Sequence, residues 1–155
     1  MSEGTDEILE EVENLYKDGR FAAALERIED TLENLWHENF NPEEILKFNI
    51  KKLSILVAAK EFDGAQLLCE QLLEDIEELD ISFYHIDILL EKALICSNIR
   101  QSELCDDNLA QVEEALTLFK RGGSENYIRR NAQFNMVKGI HYVLTSKFFE
   151  SIDFV

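Results

Sequence analysis

Proline and glycine, the residues that most often interrupt a helix, are scarce in this chain. Its 155 residues include one proline and six glycines. Both residues break helices and mark turns, so long helical segments can run without interruption. The residues that replace them are helix formers such as Leu, Glu, Ile and Lys. Because 46% of the chain is hydrophobic, it can also bury a core, which argues against disorder. The composition predicts an all-α domain.

Positive charge is also in short supply. The chain has 15 Lys and Arg against 32 Asp and Glu, a formal net charge of -17. Nucleic acid is therefore excluded as a partner, because its phosphates would be repelled. The charge is graded along the chain: the net values are -9 for 1–40, -6 for 41–80, -3 for 81–121 and +1 for 122–155. The acidic amino-terminal part is thus suited to basic partners.

Cysteines and long apolar runs are too few for a secreted or membrane protein. The chain has an odd number of cysteines, namely Cys69, Cys96 and Cys105, and no CxxC spacing. All three lie among apolar residues, which is typical of reduced cysteines in a cytosolic protein. The amino terminus MSEGTDEILEEVE has no basic segment followed by an apolar one, so no signal peptide is predicted. No run reaches the 18 apolar residues of a membrane span. These features predict a cytoplasmic protein that does not enter membranes.

The sequence also lacks a convergent set of catalytic residues. His37, His85 and His141 are far apart, and none has a His or Cys at a metal-ligand interval. The glycines at 122–123 precede a predicted helix, but no phosphate-binding motif surrounds them, so they are interpreted as a helix terminator. No nucleophile stands with a base. The sequence therefore predicts a protein without catalytic activity, metal or cofactor.

The helix pattern is regular. Asn41-Pro42-Glu43-Glu44 combines an N-cap, a proline in the first turn and two acids at the positive end of the helix dipole. Apolar positions recur every three to four residues along the chain. We expect seven helices and the start of an eighth after Lys147, with a polar connection over 97–107 before the sixth. They pair into four hairpins within a single domain over 1–155, with approximate hairpin bounds 5–37, 41–79, 81–121 and a truncated 124–155.

One phrase recurs in each hairpin. The second helix of each hairpin is expected to start at Phe21, Phe62, Cys105 and Phe148, which are 41, 43 and 43 residues apart. Three residues further on stand compact side chains, namely Ala24, Ala65, Asn108 and Ser151. A compact residue where two helices cross lets their backbones approach. The recurrence predicts a stack of similar hairpins.

Gly19-Arg20-Phe21 with Ala24-Leu25 resembles the centre of a tetratricopeptide repeat, with a long period of 41 to 43 residues. This resemblance implies an α-solenoid of stacked antiparallel hairpins whose first helices line a concave groove. Carried over by register, the groove positions are Asp6, Leu9, Glu10, Glu13, Tyr16, Lys47, Ile50, Lys51, Ser54, Gln133, Met136, Val137 and Ile140. The alternative interpretation is that the charged positions are merely solvated and that Met136 and Ile140 pack in the core.

Two functions follow as expectations. The first is a scaffold that binds a peptide or a partner helix on its concave face. The second is an assembly module, either a homodimer or part of a longer repeat array, that associates through an apolar carboxyl-terminal segment with Phe148, Phe149, Ile152, Phe154 and Val155. A sensor of small molecules stays open, because helical stacks can enclose pockets.

Overall fold

The computed structural model describes residues 2–38, 41–77, 82–119 and 125–153, with side chains over 4–35, 41–77, 83–118 and 125–146. The helices in these ranges are α1 (Ser2–Lys17), α2 (Phe21–Glu38), α3 (Pro42–Ala58), α4 (Phe62–Glu77), α5 (Ser82–Asn98), α6 (Ser102–Phe119) and α7 (Glu125–Asp153). No strand occurs in the described part of the chain. The all-α prediction is confirmed.

The start of α3 has the predicted cap. Asn41 is extended, and its side-chain oxygen accepts hydrogen bonds from the backbone N–H groups of Glu43 at 3.1 Å and Glu44 at 3.4 Å. Pro42 occupies the first helical position, where its missing N–H costs no hydrogen bond. The cap satisfies two amides that the helix itself cannot pair.

One turn geometry is used three times, between α1 and α2, α3 and α4, and α5 and α6. Its left-handed residue is Gly19, Lys60 or Arg100, with φ of 77°, 62° and 63°. In each turn the following residue donates its backbone N–H to the carbonyl five positions earlier, at 2.9, 2.9 and 2.8 Å. This bond closes the carboxyl end of the first helix. The second helices of these three hairpins begin at Phe21, Phe62 and Ser102, which are 41 and 40 residues apart.

The alignment predicted for the third hairpin is wrong by three residues. Because α6 begins at Ser102, that residue takes the place of Phe21 and Phe62, and the polar connection expected over 97–107 is much shorter. Cys105 aligns instead with Ala24 and Ala65, and all three side chains are fully buried. The prediction failed because a serine stands where the first two hairpins have phenylalanine, so no aromatic residue marked the start of the helix.

The eighth helix expected after Lys147 is absent from the described residues. The backbone instead continues as α7 through to Asp153. No glycine or proline stands between Ile140 and Asp153 to end the helix there. The hairpin predicted for 124–155 is therefore a single long helix over Glu125–Asp153.

The chain forms two compact units, Met1–Leu68 and Cys69–Val155, with the boundary inside α4. In the first unit α2 packs against α1 and α3, and α1 touches α3. Its core consists of Val12, Ala24, Ile28, Leu32, Leu35, Ile45, Phe48 and Ile55. This arrangement brings the two predicted first helices, α1 and α3, side by side.

In the second unit α7 packs against both helices of the α5–α6 hairpin. The core of this unit consists of Ile86, Leu89, Leu90, Ala93, Cys96, Cys105, Leu109, Val112, Leu116, Phe134 and Val137. Among the described side chains of α7, Phe134 and Val137 belong to this core and Tyr127 packs against it. None of the helices in the described ranges combines the length and apolarity needed to cross a bilayer.

Candidate functional site

The groove positions predicted on α1 and α3 contact one another. The Lys51 ammonium makes an ion pair with Glu13 and lies 4.8 Å from the centre of the Tyr16 ring. Glu13 and Lys51 thus satisfy each other rather than presenting free charges. The structure thus brings these three predicted residues together, and Lys51 has a structural role between α1 and α3.

The other predicted residues of the first unit lie nearer to solvent. Glu10 is exposed, and Ser54 is half-buried. Lys47 is exposed, with its ammonium 3.9 Å from the carboxylate of Glu43 one turn earlier on α3. Such an exposed pair within one helix contributes little stability. Of the two predicted lysines, Lys47 is therefore the one more open to a partner.

On α7, the predicted residues divide between surface and core. Gln133 is exposed, Met136 is 58% exposed and Ile140 is 37% exposed. The alternative interpretation, which packed Met136 and Ile140 in the core, is wrong. Val137 is buried and belongs to the core, so its assignment to the groove is corrected.

Met136 and Ile140 belong to a longer apolar surface on α7. The exposed residues Ile128, Ala132, Met136, Ile140 and Val143 follow one another at intervals of four, four, four and three residues. These intervals place them on one side of a helix. We call this surface the outer face of α7.

The opposite side of α7 is buried. Arg130, Phe134, Val137 and His141 point into the second unit. A helix at a protein surface ordinarily turns its apolar residues inward and its polar residues toward solvent. Among the described side chains of α7, the buried side includes the polar Arg130 and His141, while the outer face exposes apolar residues.

A groove runs between α6 and α7. Its first part has a volume of about 440 Å³ and is lined by Asp106, Leu109, Ala110, Phe134, His141 and Tyr142, among others. The adjoining part has a volume of about 470 Å³ and is lined by Thr117, Tyr127, Asn131 and Asn135, among others. Glu113, Phe134 and Lys138 line both parts, so the two form one continuous feature. We call it the α6/α7 groove.

The buried His141 is held in a hydrogen-bonded network that sequence reasoning missed, and this network reaches the surface at the exposed Asp106. Its Nδ1 lies 2.9 Å from Oγ of Ser97, and its Nε2 lies 2.9 Å from Oδ1 of Asp106. Oγ of Ser97 is also 3.0 Å from Sγ of Cys105. The network links α5, α6 and α7. The sequence gives no local signal for this network, because the partners of His141 lie 44 and 35 residues away along the chain.

A serine, a histidine and an aspartate in series invite comparison with a hydrolase site. Ser97, however, is only 8% exposed, and it does not line either part of the α6/α7 groove. A substrate in that groove would reach Asp106 and His141 but not the hydroxyl that must attack it. The network fits an anchor for α7 better than a reaction centre.

The three cysteines are buried free thiols. Burial raises the pKa of Cys69 to about 12. It also raises the pKa of Cys96 and of Cys105, although hydrogen bonds from Asn108 and Ser97, respectively, oppose the shift. The thiolate is the nucleophilic form, so these positions suit packing rather than chemistry. Among the residues that the structure describes, no group of three His, Cys, Asp or Glu side chains is arranged to hold a metal ion.

A second polar contact fixes the amino-terminal half of α7. The guanidinium of the buried Arg130 donates to both carboxylate oxygens of Asp87, at 2.9 and 2.8 Å. It also donates to Oδ1 of Asn126 at 3.0 Å and lies 4.9 Å from the centre of the Phe83 ring. Burial raises the pKa of Asp87, while Arg130 opposes the rise. The pair therefore sets the position of α7 at a cost in desolvation.

The self-association residues Phe148, Phe149, Ile152, Phe154 and Val155 lie outside the residues whose side chains the structure describes.

Comparison with protein-family models, curated proteins and solved structures finds no match.

Proposed function

We propose that the chain is a non-catalytic protein-interaction module that binds a partner protein on the outer face of α7. The observation that carries this proposal is that the described side chains of α7 include a row of exposed apolar residues on the side opposite the buried one. Exposed apolar side chains that recur along one face of a helix are typical of a surface that another protein covers. The expected partner is an amphipathic helix, whose apolar residues would interdigitate with those of the outer face.

The recurrent turn supports this proposal at the level of architecture. Three hairpins with the same turn and a period of 41 and 40 residues agree with a helical repeat. In such a scaffold the first helices would carry binding surfaces, and α7 would be the first helix of the fourth repeat.

Substitution on the outer face tests the proposal. Met136→Glu places a charge at the centre of the face, and Leu67→Glu places the same charge on another strongly exposed apolar residue. A partner retained by the unmodified chain in a pull-down should be lost with Met136→Glu and kept with Leu67→Glu. Equal retention by both variants would contradict a role for the outer face.

Self-association is the second candidate, because a second copy could also cover an apolar helix face. It predicts that the molar mass from light scattering rises with concentration and that Met136→Glu abolishes the rise. A mass equal to that of one chain at all concentrations would eliminate this candidate and leave binding of a different protein.

A further inference from the structure

The α6/α7 groove has the length of a helix. On the α6 side its lining extends from Ser102 to Thr117, and on the α7 side from Tyr127 to Thr145. At 1.5 Å per residue these spans correspond to about 22 and 27 Å. A helix of about 15 to 18 residues covers the same distance. The groove could therefore accept four turns of a partner helix along its full length.

The floor of the groove is apolar, while Thr117, Asn131 and Asn135 line the walls of its second part. Leu109, Leu116 and Phe134 are buried at its base, and the exposed Ala110 stands on its α6 wall. A small residue on the wall leaves room for a larger side chain from a partner. Apolar residues along one side of a helix would fill this floor, as in other helix-in-groove complexes.

The α6 wall carries negative charge only. Within Ser102–Phe119 there are five acidic residues and no basic one. Asp106 and Glu113 line the groove itself, and the exposed Glu103, Asp107 and Glu114 lie on the side of α6 next to them. The charge on the α7 wall is Lys138, whose ammonium lies 5.2 Å from the centre of the Phe134 ring. The wall of α6 thus favours a positively charged edge on whatever occupies the groove.

We infer that the α6/α7 groove binds an amphipathic helix of another protein with its apolar side on Phe134 and a basic edge along α6. This assignment rests on the proposed function as an interaction module, and it adds a second surface and the chemistry of its occupant. The central residue is Glu113, because it lines both parts of the groove. Its carboxylate would pair with a lysine or arginine near the middle of the bound helix.

The test uses a fluorescein-labelled helix of about 16 residues built from Leu, Ala and Lys, and its counterpart with Glu in place of Lys. Fluorescence anisotropy measures binding of each peptide to the full chain at about 150 mM salt, where exposed charges beyond about 8 Å are screened. We expect the Lys peptide to bind and the Glu peptide to bind at least about tenfold more weakly. Equal binding of both peptides would overturn the basic specificity.

Two matched pairs of variants locate the binding site. Glu113→Lys reverses a charge inside the groove, and Glu74→Lys makes the same change at an exposed position on α4, outside the groove lining and the α6 wall. Ala110→Trp fills the groove without altering charge, and Gln111→Trp adds the same ring at an exposed position outside the lining. The groove variants should weaken binding of the Lys peptide at least about tenfold, and the matched control variants should weaken it less than about threefold.

Equal losses within each pair would show that the peptide responds only to the overall acidity of the chain, and would overturn the groove assignment. Thermal unfolding followed by circular dichroism verifies that each variant is folded. Leu67→Glu in the same titration should leave peptide binding unchanged, because Leu67 lies outside the groove lining and outside the outer face of α7. If the pull-down loses a partner with Met136→Glu and the groove variants have no effect on peptide binding, the proposed function is supported and the groove assignment is refuted.

Discussion

Replacing Asp87 with Leu is expected to destabilise the second unit strongly. The guanidinium of Arg130, only 3% exposed, would lose two hydrogen bonds to a carboxylate and keep its contacts with Asn126 and Phe83. Breaking a buried ion pair by removing one partner costs about 3 to 5 kcal/mol, because an uncompensated charge remains. Because Arg130 keeps its other contacts, we expect the free energy of unfolding to fall by about 3 kcal/mol, near the lower end of this range.

The double variant Asp87→Leu, Arg130→Met provides the decisive comparison. Because burial raises the pKa of Asp87, its carboxylate is already held at a desolvation cost. Removing both charges together should therefore leave the free energy of unfolding within about 1 kcal/mol of the unmodified chain. Urea unfolding followed by far-UV circular dichroism measures both values. The reasoning would be refuted if the single variant lost less than about 1 kcal/mol, or if the double variant were as unstable as the single one.

Two further predictions concern the thiols and the turns. With a pKa of about 12 instead of 9.0, Cys69 at pH 8 has about a thousandfold less thiolate than an ordinary cysteine, so iodoacetamide should modify it only after unfolding. Mass spectrometry of the native chain checks this, and native modification within about tenfold of the rate in urea would contradict it. Lys60→Gly and Arg100→Gly should each raise stability by about 0.5 to 1 kcal/mol, because both residues have positive φ. Gly19→Ala should lower stability by a similar amount in the same urea experiment, and unchanged midpoints would show that these turns store no strain.

Much of the fold was predictable because its signals are local. The cap at Asn41 and the glycine of the first turn are specified by residues within one or two turns of helix. The third turn was harder to place, because Arg100 replaces the glycine and Ser102 replaces the aromatic residue. In α7 the pattern was misinterpreted near Lys147, where the chain holds no breaker and the helix continues.

The candidate sites depend on contacts between distant residues, which a single sequence does not reveal. The surface position of Met136 follows from the way Arg130 and His141 turn one side of α7 inward. Both are polar, so hydrophobic periodicity alone would have oriented the helix by its apolar residues. The α6/α7 groove likewise exists only once α7 has packed against α6. Buried polar anchors therefore decided which apolar face stayed open.

Site-specific photo-crosslinking can test whether a partner protein covers the outer face of α7. A benzophenone amino acid would replace Met136 in one chain and Leu67 in a matched chain, both expressed in the source cells. We expect one discrete crosslinked product from position 136, absent from position 67 and composed of this chain and a different protein. If position 136 yields no more product than position 67, the outer face is open to solvent and the proposed function is contradicted.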